Sequence, residues 1–171
     1  LKATPLVVGD TIYAAAYNGD LAALDLTSGA VLWRRALSSH AGLTMADGTL
    51  YITDSDDLVW AAKPDDGAGL WKQEALRYRN LTAPAVVGNT LVVGDLEGYV
   101  HLLARNDGRI LGRQRVAKGG IQAQPLVAGG RVFVLGADGT LAALSLGAVS
   151  PATTKSPTPM PTATKTPTPA F

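Results

Sequence analysis

The stretch from Pro5 to Trp33, PLVVGDTIYAAAYNGDLAALDLTSGAVLW, decides the fold, because the rest of the chain restates it. A shift of 38 residues gives Leu43 to Trp71, with Asp57 at the place of Gly19, Gly67 at that of Gly29 and Trp71 at that of Trp33. A shift of 79 gives Pro84 to Gly112, where Gly88, Gly98 and Gly108 fall on Gly9, Gly19 and Gly29. A shift of 120 gives Pro125 to Leu146, with Gly129 and Gly139 in register. Four copies at a period near 40 residues make a repeat architecture.

Each copy reads as four short strands. In the first, Leu6–Val8 is an apolar run ended by the turn pair Gly9-Asp10. Ile12–Tyr17 follows and stops at Asn18-Gly19, a strong hairpin signal, because both central residues of a type I′ turn need positive φ. Leu21–Leu26 ends at Ser28-Gly29, and Val31–Arg35 closes the unit. Glycines and Asx-Gly pairs every eight to ten residues exclude a helical reading. Four antiparallel strands in about 40 residues are one blade of a β-propeller. The expected fold is therefore all-β, with blades over 5–36, 43–73, 84–116 and 125–147. The fourth copy has no counterpart of Val31-Leu32-Trp33, which suits a ring closed by a strand from upstream of Leu1.

Working outward, Leu37–Gly42, Glu74–Ala83 and Ala117–Gln124 are the connectors between blades. Strand alternation puts them on the same face as the turns between second and third strands, at Asn18-Gly19, Asp56-Asp57, Glu97-Gly98 and Asp138-Gly139. Residues 148–171 change composition abruptly: Pro and Thr dominate, and Ile and Leu are absent. Such a segment is expected to be a disordered tail, since it cannot bury enough apolar surface to offset ordering entropy.

Composition narrows the chemistry. The 171 residues are 47% hydrophobic, enough for a sizeable core, and no run is long and apolar enough to cross a bilayer. A net charge of +1 leaves no electrostatic footprint for nucleic acid. With no cysteine, disulfides, thiolate catalysis and zinc–thiolate sites are excluded. The chain starts at Leu1 without methionine or signal peptide, so the expectation is a piece of something longer, with any targeting segment upstream.

Candidate functional residues are few. The repeated Gly-x-x-x-Trp of Gly29–Trp33 and Gly67–Trp71 reads as a structural device, an indole covering the junction with the next blade. Gly112 stands at the Trp position of the third copy, so that junction should be less well covered. Asp54, Asp56, Asp57, Asp95 and Glu97 could suggest calcium. They lack the glycine and distant Glu of an EF-hand loop, and Asp54 and Asp95 are repeat-equivalent, which favours hydrated turns over a metal. His40 and His101 have no sequence neighbours that suggest a nucleophile–base pair. No catalytic, cofactor-binding or metal-ligating residue is assigned. Arg77-Tyr78-Arg79, with Arg34-Arg35, Arg113 and Arg115, reads either as a solvated rim or as a docking surface rich in Arg and Tyr.

Units of the form GDTIYAAAYNGDLAALDLTSGAVLW resemble the PQQ-type repeat. More narrowly, AAAYNGDLAALDLTSGAVLWRRALSS, VVGDLEGYVHLL and VLGADGTLAAL resemble the C-terminal half of the BamB family, propeller lipoproteins of the outer-membrane β-barrel assembly machinery. The resemblance covers about residues 3–146 in continuous order. It implies a partial ring of an eight-bladed propeller and a non-catalytic scaffold at the periplasmic face of the bacterial outer membrane. It further implies a lipid anchor upstream, the periplasmic POTRA domains of the barrel-insertion subunit as partner, and unfolded outer-membrane proteins as a second class of partner. The resemblance implies binding through inter-blade connectors, chiefly ones upstream of this stretch, and so transfers the face but no individual contact residue; with the strand-alternation argument, Arg77, Tyr78 and Arg79 are the best candidates on it. Lys2 stands where the family carries acidic residues, and Lys63-Pro64 where the third strand continues with Asp. The alternative class is a quinoprotein dehydrogenase built from the same repeat, or another PQQ-repeat binding propeller.

Overall fold

The computed structural model describes residues 3–17 and 19–146. The hairpin residue Asn18 and the Pro/Thr-rich segment 148–171 lie outside the described residues. Among the described residues fifteen strands form four antiparallel sheets, each read in chain order. The first is β1 (Leu6–Val8), β2 (Thr11–Ala15), β3 (Leu21–Asp25) and β4 (Val31–Arg35). The second is β5 (Gly42–Ala46), β6 (Thr49–Thr53), β7 (Val59–Ala62) and β8 (Gly69–Gln73). The third is β9 (Ala85–Val87), β10 (Thr90–Gly94), β11 (Tyr99–Ala104) and β12 (Ile110–Arg115). The fourth holds β13 (Leu126–Ala128), β14 (Arg131–Leu135) and β15 (Leu141–Ser145). Among the described residues β15 pairs only with β14, so its outer edge carries no strand. The architecture is a partial propeller.

Middle sheets are apolar on both faces because each is sandwiched between neighbours. On β6, Leu50 and Ile52 join Tyr13, Leu21 and Leu43 in the first inter-sheet core, while Tyr51 between them joins Leu81, Leu91 and Leu103 in the second. On β10, Leu91 and Val93 face the second sheet, and Val92 turns to Ile121, Val132 and Val134 of the third core. Successive side chains of a strand point to opposite faces, so one run such as Leu91-Val92-Val93 serves two cores. Strands β1, β5, β9 and β13 lie side by side nearest the propeller axis. Beside that axis the Gln124 side-chain amide donates to the Pro84 carbonyl at 2.7 Å and to Thr44 Oγ1 at 2.8 Å, clipping three units together.

The third and fourth strands of each complete sheet share a β-bulge. Pairing skips Leu32 opposite Ala23/Leu24, Leu70 opposite Ala61/Ala62 and Leu111 opposite Leu102/Leu103. A bulge adds local twist and re-aims the side chain beside it. Here that side chain is Trp33 or Trp71, which crosses to the next sheet. Trp33 Nε1–H donates to the Pro64 carbonyl and Trp71 Nε1–H to the Arg105 carbonyl, each at 2.8 Å. Each indole lies on a turn glycine: a Cβ at Gly67 would come within 2.7 Å of Trp33, and one at Gly108 within 2.5 Å of Trp71. Both glycines also hold positive φ, 68° and 73°. The tryptophans thus cover the first two junctions, as the repeat positions suggest. At the third, a Cβ on Gly112 would meet nothing within 4 Å among the described residues.

Candidate partner-binding face

The connectors and the turns between second and third strands share one face, and hydrogen bonds tie them together. The Asp57 carboxylate accepts from the backbone N–H groups of Asn80 and Leu81, both at 2.8 Å. The Gly98 carbonyl accepts from Val116 and Ala117, and the Asp138 carboxylate from Lys118 at 2.8 Å and Gly119 at 3.3 Å. Each carboxylate replaces the ladder partner that an irregular connector lacks.

Arg77, Tyr78 and Arg79 lie on the connector between β8 and β9. Leu76 and Leu81, both buried, anchor its two ends. Between them Tyr78 and Asn80 hold φ of 63° and 52°, the left-handed region that costs a non-glycine residue about 1–2 kcal/mol. Leu96 N–H donates to the Arg79 carbonyl at 3.1 Å, which fixes the loop further. Tyr78 stands at the apex, 76% exposed, with the Arg77 guanidinium 5.8 Å from its ring centre. Arg79 turns inward instead. Its Nε donates to Asp95 Oδ2 and its Nη2 to Glu97 Oε2, both at 2.8 Å. The three residues therefore separate into an exposed Tyr-Arg pair and one structural arginine.

The acidic positions are occupied by turn chemistry. Asp54 Oδ1 accepts from the N–H groups of Asp56 and Leu58, and its Oδ2 from Trp60 Nε1 at 2.7 Å. Asp95 Oδ1 accepts in the same way from Glu97 and Tyr99. Among the described residues no group of three or more His, Cys, Asp or Glu side chains is placed to hold a metal ion.

One reading of the histidines needs correction. His101 does have a carboxylate partner near in sequence: Asp95, six residues earlier across the hairpin, whose Oδ2 lies 2.8 Å from Nε2. Burial would raise the Asp95 carboxyl, but the bonds from His101, the Tyr99 N–H and Arg79 outweigh it and hold it below the ordinary carboxylate value. The signal was present in the repeat register, where His101 and Trp60 are equivalent and each has an aspartate six residues before it. Arg79, held between Asp95 and Glu97, completes the charged group around the pair.

The family model described as outer membrane protein assembly factor BamB matches residues 1–73 and 66–149. The outer membrane protein assembly factor BamB of Pseudomonas aeruginosa is 43% identical over 141 residues, which are 82% of this chain and 37% of that protein. The crystal structure of BamB from Moraxella catarrhalis superposes with a TM-score of 0.77 at 34% identity, over 85% of this chain and 44% of that one. Quinohemoprotein alcohol dehydrogenase from Comamonas testosteroni gives a TM-score of 0.63 at 17% identity, covering 78% of this chain and 29% of its own, a likeness of fold alone. The chain thus spans less than half the length of these relatives. It belongs to the family of the outer membrane protein assembly factor BamB.

Proposed function

We propose that this chain is part of a non-catalytic scaffold for outer-membrane protein assembly, working at the periplasmic face of the outer membrane. Its connector face binds the periplasmic domains of the barrel-insertion subunit, and unfolded outer-membrane proteins are a second class of partner. The observation that carries this reading is the 43% identity, across four consecutive units, to an outer membrane protein assembly factor. The surface agrees in chemistry. An exposed tyrosine on a pinned loop, with an arginine beside it, loses little conformational entropy on docking, and Tyr and Arg are the side chains that anchor protein interfaces.

The test is a binding titration against the isolated periplasmic domains of the barrel-insertion subunit. Arg77→Glu combined with Tyr78→Asn, an exchange that tolerates the left-handed backbone, should weaken binding by about tenfold or more. Equal binding by wild type and variant removes this loop from the interface. Saturable quenching of the tryptophans by pyrroloquinoline quinone with calcium would instead favour the dehydrogenase class.

A further inference from the structure

We propose that the outer flank of the third sheet, at Tyr99, Arg113 and Arg115, is a docking site for an extended acidic peptide segment with carboxylates at alternate positions. Tyr99 opens β11, and the two arginines lie on β12, where Arg115 pairs with Tyr99 and Arg113 with His101. Side chains two residues apart share one face of a strand, so the three sit together. The guanidinium carbons of Arg113 and Arg115 lie 5.1 and 5.8 Å from the Tyr99 ring centre. Both arginines are exposed and the tyrosine is half-buried.

What sets this pair apart is its missing counter-charge. Arg79, Arg105 and Arg109 each hold a carboxylate at 2.8 Å. Among the described residues no carboxylate pairs with Arg113 or Arg115, and their hydrogen bonding amounts to a 3.5 Å contact from Arg115 Nη2 to the Lys118 carbonyl. Residues 1–2, 18 and 147–171 contain no Asp or Glu, so no acidic side chain of the 171 residues fills the place.

The repeat shows that this charge is particular to one unit. The same two positions of the second unit hold Lys72 and Glu74, which neutralise each other as an ion pair, and those of the first hold Arg34 and Ala36. At the place of Tyr99 the second unit has the buried Leu58. A positive field confined to one flank suits a narrow peptide rather than a flat anionic membrane. Its spacing selects the form of that peptide. Strand residues two apart are separated by about 6.6 Å, and alternate side chains of an extended ligand repeat at the same interval. Each arginine offers a carboxylate two parallel N–H bonds, and stacking on Tyr99 orders the guanidinium before the ligand arrives.

The experiment titrates the whole 171-residue chain with an octapeptide of alternating Glu and Thr, followed by the 15N shifts of the arginine Nε–H groups. Saturable shifts at Arg113 and Arg115 are expected, with a dissociation constant on the order of 1 mM or below in dilute buffer. Affinity should weaken by about tenfold as salt rises from about 0.05 to 0.5 M. The Gln-Thr counterpart should not bind, and an isomer with its glutamates in one run should bind about threefold more weakly or worse. Arg113→Glu with Arg115→Glu should lower affinity by about tenfold or more. Arg77→Glu with Tyr78→Asn should leave it unchanged, which separates this flank from the connector loop. Inorganic phosphate and phosphatidylglycerol vesicles are the parallel arms. No saturable binding to wild type, equal binding by the two isomers, or affinity undiminished in the double arginine variant overturns the proposal. Phosphate or vesicle binding that exceeds the peptide's and is lost in that variant assigns the pair to a phosphate group and overturns it as well. Should the glutamate exchanges fail to fold, Arg113→Gln with Arg115→Gln decides the matter by the same readout.

Discussion

His101 Nε2 lies 2.8 Å from Asp95 Oδ2, both side chains buried, in the place that Trp60 and Asp54 occupy one unit earlier. A carboxylate can only accept, so the imidazole, like the indole, contributes an N–H. The first and fourth units hold Ala16 with Ala22 and Gly136 with Ala142 at these positions. Donor and acceptor are present together or missing together, as expected where either alone would be buried without a partner.

Removing one member of the buried pair should therefore be worse than removing both in proportion. Asp95→Ala is expected to cost about 3–5 kcal/mol in urea unfolding, since it strands His101 and releases Arg79. The double variant Asp95→Ala, His101→Ala should cost less than the sum, with a coupling of about 1–3 kcal/mol. His101→Trp, which copies the second unit, should be milder than His101→Ala. Strictly additive effects would mean the pair is not coupled.

Arg77→Glu and Arg79→Glu should part company in stability. Arg77 is exposed, and its exchange should stay within about 0.5 kcal/mol of wild type. Arg79→Glu sets a third carboxylate against Asp95 and Glu97, and a loss of about 3 kcal/mol is expected. Matching thermal denaturation curves for the two variants would show that Arg79 is not structural.

The junction tryptophans should carry stability in proportion to what they cover. Trp33→Ala and Trp71→Ala are each expected to lose about 3 kcal/mol, from the half-buried ring and from the hydrogen bond it donates. Gly67→Ala and Gly108→Ala should also destabilise, because the new methyl meets the indole and the backbone is left-handed. An unchanged melting temperature in Trp33→Ala would mean that the indole is not packed as described.

Acid should loosen the last connector in a defined window. Hydrogen bonds from Thr140, then from Lys118, hold the Asp138 carboxyl down at about 2. A depressed carboxyl contributes its stabilisation above its unfolded value of about 3.9 and loses it as pH falls through the folded one. Amide 15N shifts of Lys118 and Thr140 should therefore titrate near pH 2 in wild type and stay flat in Asp138→Asn. A midpoint near 4 would show that these bonds do not hold the charge.

Much of this was legible in the sequence, because a repeat states its fold several times. The register of Gly29, Gly67 and Gly108, with Trp33 and Trp71, led to the strand count, the junction tryptophans and the poorly covered third junction. Three features were hidden for physical reasons. The bulge at Leu32, Leu70 and Leu111 leaves the spacing unchanged between units, so nothing in the pattern marks it. Equivalence of His101 with Trp60 looks like an ordinary strand position until one asks which atoms donate hydrogen. Arg77 and Arg79 look alike in sequence, but the left-handed turn at Tyr78 gives them different surroundings.

The uneven fastening of the sheets has a consequence for how the molecule comes apart. Among the described residues, the first and second junctions have connector bonds at one end and an indole at the other, whereas the third has connector bonds and the Gln124 clip but no indole. In a stacked array whose units touch only their neighbours, stability is a sum over interfaces, and opening begins at the poorest one. The first three sheets are therefore expected to act as one cooperative block, with Ala3 to Arg115 exchanging amide protons together. Strands β13 to β15 should form a separate foldon that frays first and re-docks, leaving the larger block intact, which native-state hydrogen exchange would show.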